Sequence, residues 1–170
     1  MKTILCISGS ASSNSFNKQL LRAIADAFSE KYEFEMHQGL QHLPLFSPQL
    51  QKTGIPETIK SLREKVDAAD AVIISTPEYL HNIPAVLKNA LEWMTESGEL
   101  HEKPVLPITF APAPPRGEYA MKSLLQSLVA SKAKVVAELP LYQSELRNEE
   151  GEIVLDEQHI FLFREALALL

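Results

Sequence analysis

Three stretches of the 170-residue chain carry side chains suited to holding a ligand. The first is Ser8-Gly9-Ser10-Ala11-Ser12-Ser13-Asn14-Ser15-Phe16-Asn17, dense in hydroxyl and amide groups and opening into a pattern of helical spacing. A helix N-terminus presents unbonded N–H groups and the positive end of the helix dipole, which together favour a phosphate. Ser10, Ser12, Ser15 and Asn17 are neutral donors that would complete such a shell. No Gly-Lys-Ser/Thr follows and there is no G-x-G-x-x-G, so neither standard nucleotide loop is present. The same residue types also make an ordinary helix cap and surface turn. The second stretch is Thr76-Pro77-Glu78-Tyr79-Leu80-His81-Asn82-Ile83-Pro84. It too runs into a helical pattern, with Pro84 where proline suits a first turn. The third, Ala111-Pro112-Ala113-Pro114-Pro115-Arg116-Gly117, sets one cation beside three prolines.

The elements that must position these stretches alternate between strand and helix patterns. Ile4-Leu5-Cys6-Ile7 is a continuous apolar run, as a strand buried on both faces would be. Phe16, Leu20, Leu21, Ile24, Ala27 and Phe28 share one helical face, and Tyr32, Phe34 and Met36 alternate as in a half-buried strand. Gly39 to Pro56 reads as a long loop. Ile59, Leu62 and Val66 mark a second helix, and Asp70 to Thr76 a second buried strand that stops at Pro77. A helix is expected over Ile83 to Met94, with Gly98 as its terminator. A strand follows over Val105 to Phe110, weakened by Pro107. Tyr119 to Val129 predicts a helix, Ala133 to Leu139 a fifth strand, Asn148 to Gly151 a turn and Glu157 to Leu170 a closing helix.

Five strands separated by helices predict one α/β domain over residues 1–170, a doubly wound parallel sheet with helices on both faces. In the flavodoxin-like order 2-1-3-4-5, a mononucleotide lies at the switch between strands 1 and 3. The three stretches above follow three of the expected strands.

Composition removes several function classes. Asp plus Glu total 22 against 16 Lys plus Arg, giving a net charge of −6 and no basic run, so no nucleic-acid partner is expected. The single cysteine, Cys6, permits no internal disulfide and no cysteine-based zinc site. It reads as a small buried hydrophobe. His37, His42, His81, His101 and His159 show no metal-ligand spacing. No apolar run is long enough to span a bilayer, and Ile4 to Ile7 is too short for the core of an export signal. The expectation is a cytoplasmic protein without a membrane partner.

Taken together, the first two loops resemble the NADPH-dependent FMN reductase family. Gly9, Ser10, Ser15 and Asn17 match its G-S-x-x-x-x-S-x-N phosphate loop. Pro77, Glu78, Tyr79, Ile83, Pro84, Leu87, Lys88, Asn89, Ala90 and Trp93 match its P-E-Y-x-x-x-I-P-x-x-L-K-N-A-x-x-W signature. The tail Asn148 to Asp156 looks like its charged hairpin. The resemblance implies an FMN-dependent NAD(P)H oxidoreductase that passes hydride from NAD(P)H to flavin and on to a small-molecule electron acceptor. That acceptor would be a quinone, an azo dye, a metal oxyanion or free flavin. It implies a homodimer or homotetramer; Trp93, on an apolar helix face, is core or subunit interface, and the resemblance favours interface. Ser10, Ser15 and Asn17 would hold the FMN phosphate, with Ser12 and Phe16 beside it. Pro77 to Leu80 would follow the isoalloxazine edge through the N–H groups of Glu78, Tyr79 and Leu80. Gly117 would lie by the third loop. Arg116 would act as a cation near the flavin, meet the 2′-phosphate of NADPH, or remain a solvated surface residue. No catalytic side chain is expected, because the flavin carries the chemistry.

Three departures from the family pattern accompany the match. Ser12 stands where the family commonly has Arg, and Leu80 where it usually has Asn. The proline-rich third loop replaces a glycine-rich one. These changes imply FMN held less tightly than is usual in the family. They also keep two other readings open: an FMN-binding electron carrier, and a dimeric module that has lost its flavin.

Overall fold

The computed structural model describes residues 1–149 and 151–170. Its strands are β1 (Lys2–Ser8), β2 (Tyr32–Met36), β3 (Ala71–Thr76), β4 (Pro104–Ala111), β5 (Lys134–Val135), β6 (Leu139–Tyr142), β7 (Arg147–Glu149) and β8 (Glu152–Val154). Its helices are α1 (Phe16–Phe28), α2 (Pro48–Thr53), α3 (Glu57–Ala68), α4 (Ala85–Met94), α5 (Glu118–Ala130) and α6 (Glu157–Ala168). The main sheet runs β2-β1-β3-β4-β5, with β6 also on β4, and every pairing in it is parallel. This is the expected flavodoxin-like order. No helix among the described residues is long and apolar enough to cross a membrane.

Side chains along a strand alternate between faces, and that alternation divides the core in two. Leu5, Ile7, Val72 and Ile74 pack with Ile59, Leu62 and Val66 of α3, Leu87 and Leu91 of α4, and Leu124 of α5. Ile4, Cys6 and Ile73 pack with Leu20, Leu21 and Ile24 of α1 and Phe163 of α6. The apolar runs of β1 and β3 are therefore continuous because both faces are covered. Each such leucine or isoleucine, fully buried, contributes roughly 1.5–3 kcal/mol.

The fifth strand is split where a single run was expected. Val105 accepts the Val136 N–H at 3.0 Å, so in a regular parallel ladder the Val136 carbonyl would accept from the residue two further along β4. That residue is Pro107, which has no N–H. Pairing lapses there and resumes as β6, with Ile108 opposite Leu139. Pro107 stays in a central strand because its missing donor falls on this interrupted side.

Two other expectations are corrected. Gly39 to Pro56 is not an open loop: it holds a 3-10 turn at Leu40–His42 and the short helix α2, capped by the Ser47 hydroxyl. Trp93 is core rather than interface, being fully buried within this chain. Its indole donates to the Pro44 carbonyl at 2.8 Å and its ring meets Phe46 edge-on at 5.2 Å. Asn89 adds a donor to Pro44 and an acceptor for the Phe46 N–H. Helix α4 thus pins the segment whose sequence looked unstructured. Of the expected turn Asn148 to Gly151, Glu150 lies outside the described residues; its flanks pair as the antiparallel hairpin β7–β8.

Candidate functional site

The carboxyl ends of β1, β3 and β4 open into one cavity of about 480 Å³. Small-molecule sites occupy roughly 300–1,000 Å³. Its walls come from all three stretches: Ser10 through Asn17 on one side, Pro77 to Tyr79 on another, and Phe110 to Pro112 with Arg116 on the third.

The first wall is a helix start. Ser15 caps α1, its hydroxyl accepting the Lys18 N–H at 3.2 Å. That leaves the N–H groups of Phe16 and Asn17 without an acceptor among the described residues. The Ser10 hydroxyl accepts the Ser12 N–H at 3.3 Å, which curls the loop. Gly9 makes this closeness possible: a Cβ there would lie 2.7 Å from Thr76 Oγ1 and 2.9 Å from Leu87 Cδ2. The Asn17 side chain is committed inward. Its Oδ1 accepts the Ser75 hydroxyl at 2.7 Å and its Nδ2 donates to the Phe110 carbonyl at 3.4 Å. Asn17 therefore ties the ends of β3 and β4 to α1 and offers a ligand its backbone N–H.

The second wall is a tight reverse turn. Tyr79 and Asn82 exchange both backbone hydrogen bonds at 2.9 Å, with Leu80 at φ 51° and His81 at φ 57° between them. Of the three N–H groups expected along this edge, that of Tyr79 is already bonded. Leu80 is fully exposed and does not line the cavity. Gly117 does not line it either; it caps α5 with φ 102°.

The side chain of Glu78 is what sequence reasoning missed. Its carboxylate is buried, and Oε2 accepts the N–H groups of Gly117 (3.0 Å), Tyr119 (3.0 Å) and Ala120 (3.1 Å). Its Oε1 lies 3.4 Å from His81 Nδ1. One carboxylate thereby caps α5 and locks the second loop to the third. The signal for it was present, since Gly117 and Glu118 mark a helix start without a side-chain cap of their own. The partner, however, is 39 residues away. Sequence reasoning also missed Phe110 and Gln143 in the lining, and assigned no individual role to Asn14, Ala111 and Pro112 within the stretches it singled out. Gln143 arrives only because β6 returns beside β4.

The cavity combines free helix N–H groups, neutral hydroxyls, apolar walls from Pro77, Phe110 and Pro112, a half-exposed aromatic at Tyr79 and an exposed cation at Arg116. Its one carboxylate is consumed by backbone donors. Such a site suits a phosphate carried on a flat ring system. No metal-binding cluster exists among the described residues. Cys6 is buried in β1 and burial pushes its thiol up to about 12, so it supplies no nucleophile.

Comparison with known proteins places this geometry. The model of the NADPH-dependent FMN reductase family matches residues 2–144. The chain is 31% identical over 136 residues to a quinone reductase of Escherichia coli K12, covering 78% of this chain and 72% of that one. It is 41% identical over 103 residues to an NADH:(hydroxy)cinnamate reductase subunit of Vibrio ruber, covering 60% of this chain and half the length of that relative. The flavoenzyme NAD(P)H:(acceptor) oxidoreductase FerB of Paracoccus denitrificans shares the fold, with a TM-score of 0.80 over 99% of this chain and 95% of that one at 22% identity.

Proposed function

The chain belongs to the NADPH-dependent FMN reductase family, and from that premise we propose that its cavity binds FMN and that the protein is an NAD(P)H-dependent oxidoreductase. When bound, FMN supplies the redox chemistry, taking hydride from a nicotinamide and handing reducing equivalents to an acceptor. The chain's residues bind, orient and shield. The N–H groups of Phe16 and Asn17, with the hydroxyls of Ser10, Ser12 and Ser15, hold the phosphate. Pro77, Glu78 and Tyr79 border the ring on one edge, and Arg116 sets a cation near the other. The donor set fits: it is neutral or positive, and no free carboxylate faces the phosphate.

The observation that carries this reading is the single cavity bounded by all three strand-end loops, with an open helix start at one end and apolar walls beside it. A flat, conjugated, electron-poor acceptor suits those walls, and the relatives' names include a quinone reductase, an NADPH azoreductase and a (hydroxy)cinnamate reductase subunit. The exposed Tyr79, Leu80 and Tyr119 near the cavity support assembly as a dimer or tetramer in which a second copy covers them.

Titration of the protein into FMN, followed by flavin fluorescence, tests the reading. A saturable change with a dissociation constant weaker than low nanomolar is expected, because Ser12 supplies a neutral contact where an arginine would supply a charged one. A hydrogen bond to a charged group contributes about 1.5–3 kcal/mol against about 0.5–1.5 for a neutral one, which predicts roughly tenfold weaker binding. Low-nanomolar binding would refute the weakening. No binding by folded protein would refute the function.

A further inference from the structure

The cavity at the strand ends has a fourth contributor to which the reading above gives no role. Gln143 follows β6 and opens a single 3-10 turn over Gln143–Glu145. Its backbone is held on both sides. Tyr142 stands opposite Ala111 in the ladder between β4 and β6, and the Ser144 N–H donates to the Pro112 carbonyl at 3.1 Å. The side chain is half-buried and lines the cavity, and its amide makes no hydrogen bond among the described residues.

The other long polar side chains of the lining are spent or one-sided. Asn17 is bonded to Ser75 and Phe110, and Glu78 to the start of α5. Asn14 Oδ1 accepts the Gln19 amide at 3.1 Å, which leaves Asn14 its NH2 alone. Arg116 can only donate. Among the described residues, Gln143 is therefore the one amide in the lining with both its donor and its acceptor open. A phosphate dianion only accepts, and the helix N–H groups and serine hydroxyls already serve it. A hydroxyl both donates and accepts, so a carboxamide suits a polyol better than a phosphate. Position agrees with chemistry. β6 lies on the far side of β4 from β3, so Gln143 enters the cavity opposite Pro77 to Tyr79. With the phosphate at the start of α1 and the ring edge along Pro77 to Tyr79, what remains for Gln143 is the polyol that joins them.

We propose that Gln143 reads the ribityl hydroxyls of FMN, making the end of β6 a specificity determinant for a flavin that carries that chain. The assignment rests on the FMN reading above and deepens it: that reading places the two ends of the cofactor, and Gln143 places its middle. Gln143 then contributes equally to FMN and to riboflavin, which lacks the phosphate. It contributes nothing to lumiflavin, which carries a methyl group in place of the ribityl chain.

The test uses the full chain labelled with nitrogen-15 at the glutamine side-chain amides. The probes are FMN, riboflavin, lumiflavin and inorganic phosphate, with flavin fluorescence read on the same samples. The Gln143 NH2 resonances are identified by their loss in Gln143→Leu. We expect FMN and riboflavin each to shift them saturably, and lumiflavin and inorganic phosphate to leave them in place. Gln143→Leu should weaken FMN and riboflavin by the same factor, roughly tenfold. Its urea midpoint should match the wild type, because the amide has no partner within the described chain to lose. A loss confined to FMN, or a shift with inorganic phosphate, would put the amide on the phosphate and overturn the assignment. A lumiflavin shift as large as that of riboflavin, or an equal loss of lumiflavin in Gln143→Leu, would put it on the ring or in the scaffold and overturn it too. FMN bound while Gln143 stays silent would overturn the proposal and leave the FMN reading standing. Folded protein that leaves FMN fluorescence unchanged would refute that reading, and this assignment with it.

Discussion

Replacing Glu78 with alanine should both destabilise the protein and loosen the site, by amounts the geometry sets. The buried carboxylate accepts three N–H groups at the start of α5 through one oxygen, at 3.0–3.1 Å. A hydrogen bond to a charged group is worth about 1.5–3 kcal/mol, but three that share one oxygen do not add. Two of the donors are part-buried and one exposed, so water compensates only partly after truncation. A lost helix cap costs about 1 kcal/mol and a lost charge at the helix start up to about 1 more. Leaving the two part-buried donors without an acceptor adds up to about 1 kcal/mol, so the expected total is about 2–3 kcal/mol. At roughly 2–4 °C per kcal/mol for a chain of this size, the melting temperature should fall by about 5–10 °C. Glu78→Gln keeps an acceptor of the same shape and loses only the charge, so it should fall by about a third as much. Amide exchange at Gly117, Tyr119 and Ala120 should accelerate in Glu78→Ala, and FMN affinity should drop with it, because the second and third loops are no longer tied. Thermal unfolding and exchange measured on the same samples test this. A Glu78→Ala protein that melts with the wild type, or a Glu78→Gln variant as damaged as Glu78→Ala, would refute the capping account.

Three further outcomes follow from other features. Gly9→Ala drives a methyl group to 2.7 Å from Thr76 Oγ1, so it should cost about 1–3 kcal/mol in urea unfolding and weaken FMN. Leu80→Asn relieves a branched residue held at φ 51°, and should raise stability by about 0.5–1 kcal/mol, read as a higher urea midpoint. In ligand-free protein, stability should fall as pH drops from 7 through the ordinary histidine value near 6.5 towards the lowered value of His37. The unfolded chain takes up a proton there that the folded chain refuses, beside Lys65 on α3, Lys18 on α1 and His42, with Glu35 as the opposing charge. His37→Gln should remove that slope from pH-dependent urea midpoints.

Much of this was legible in the residues. Continuous apolar runs at Ile4 to Ile7 and Ala71 to Ile74 announced strands covered on both faces, and the loops after them carried the hydroxyls and the proline start that frame the cavity. What escaped depends on long-range partners. Pro107 looked like an argument against β4, yet its missing donor breaks the neighbouring strand instead. Gly39 to Pro56 has no helical period of its own and is ordered by Trp93 and Asn89 from α4. Asn17 reads as a phosphate ligand by its place in a motif, whereas its side chain is spent on Ser75 and Phe110. Glu78 reads as a backbone contact, whereas its carboxylate joins two loops. In each case the residue type was informative and its partner was not.

The central claim is that the three-loop cavity lets FMN take hydride from a nicotinamide. The most direct test is the visible spectrum of FMN with the protein, recorded anaerobically before and after NADPH. The account predicts bleaching of the flavin band, faster than FMN with NADPH alone and restored on adding a quinone. A flavin band that the protein leaves unperturbed, reduced no faster than free FMN, would contradict it.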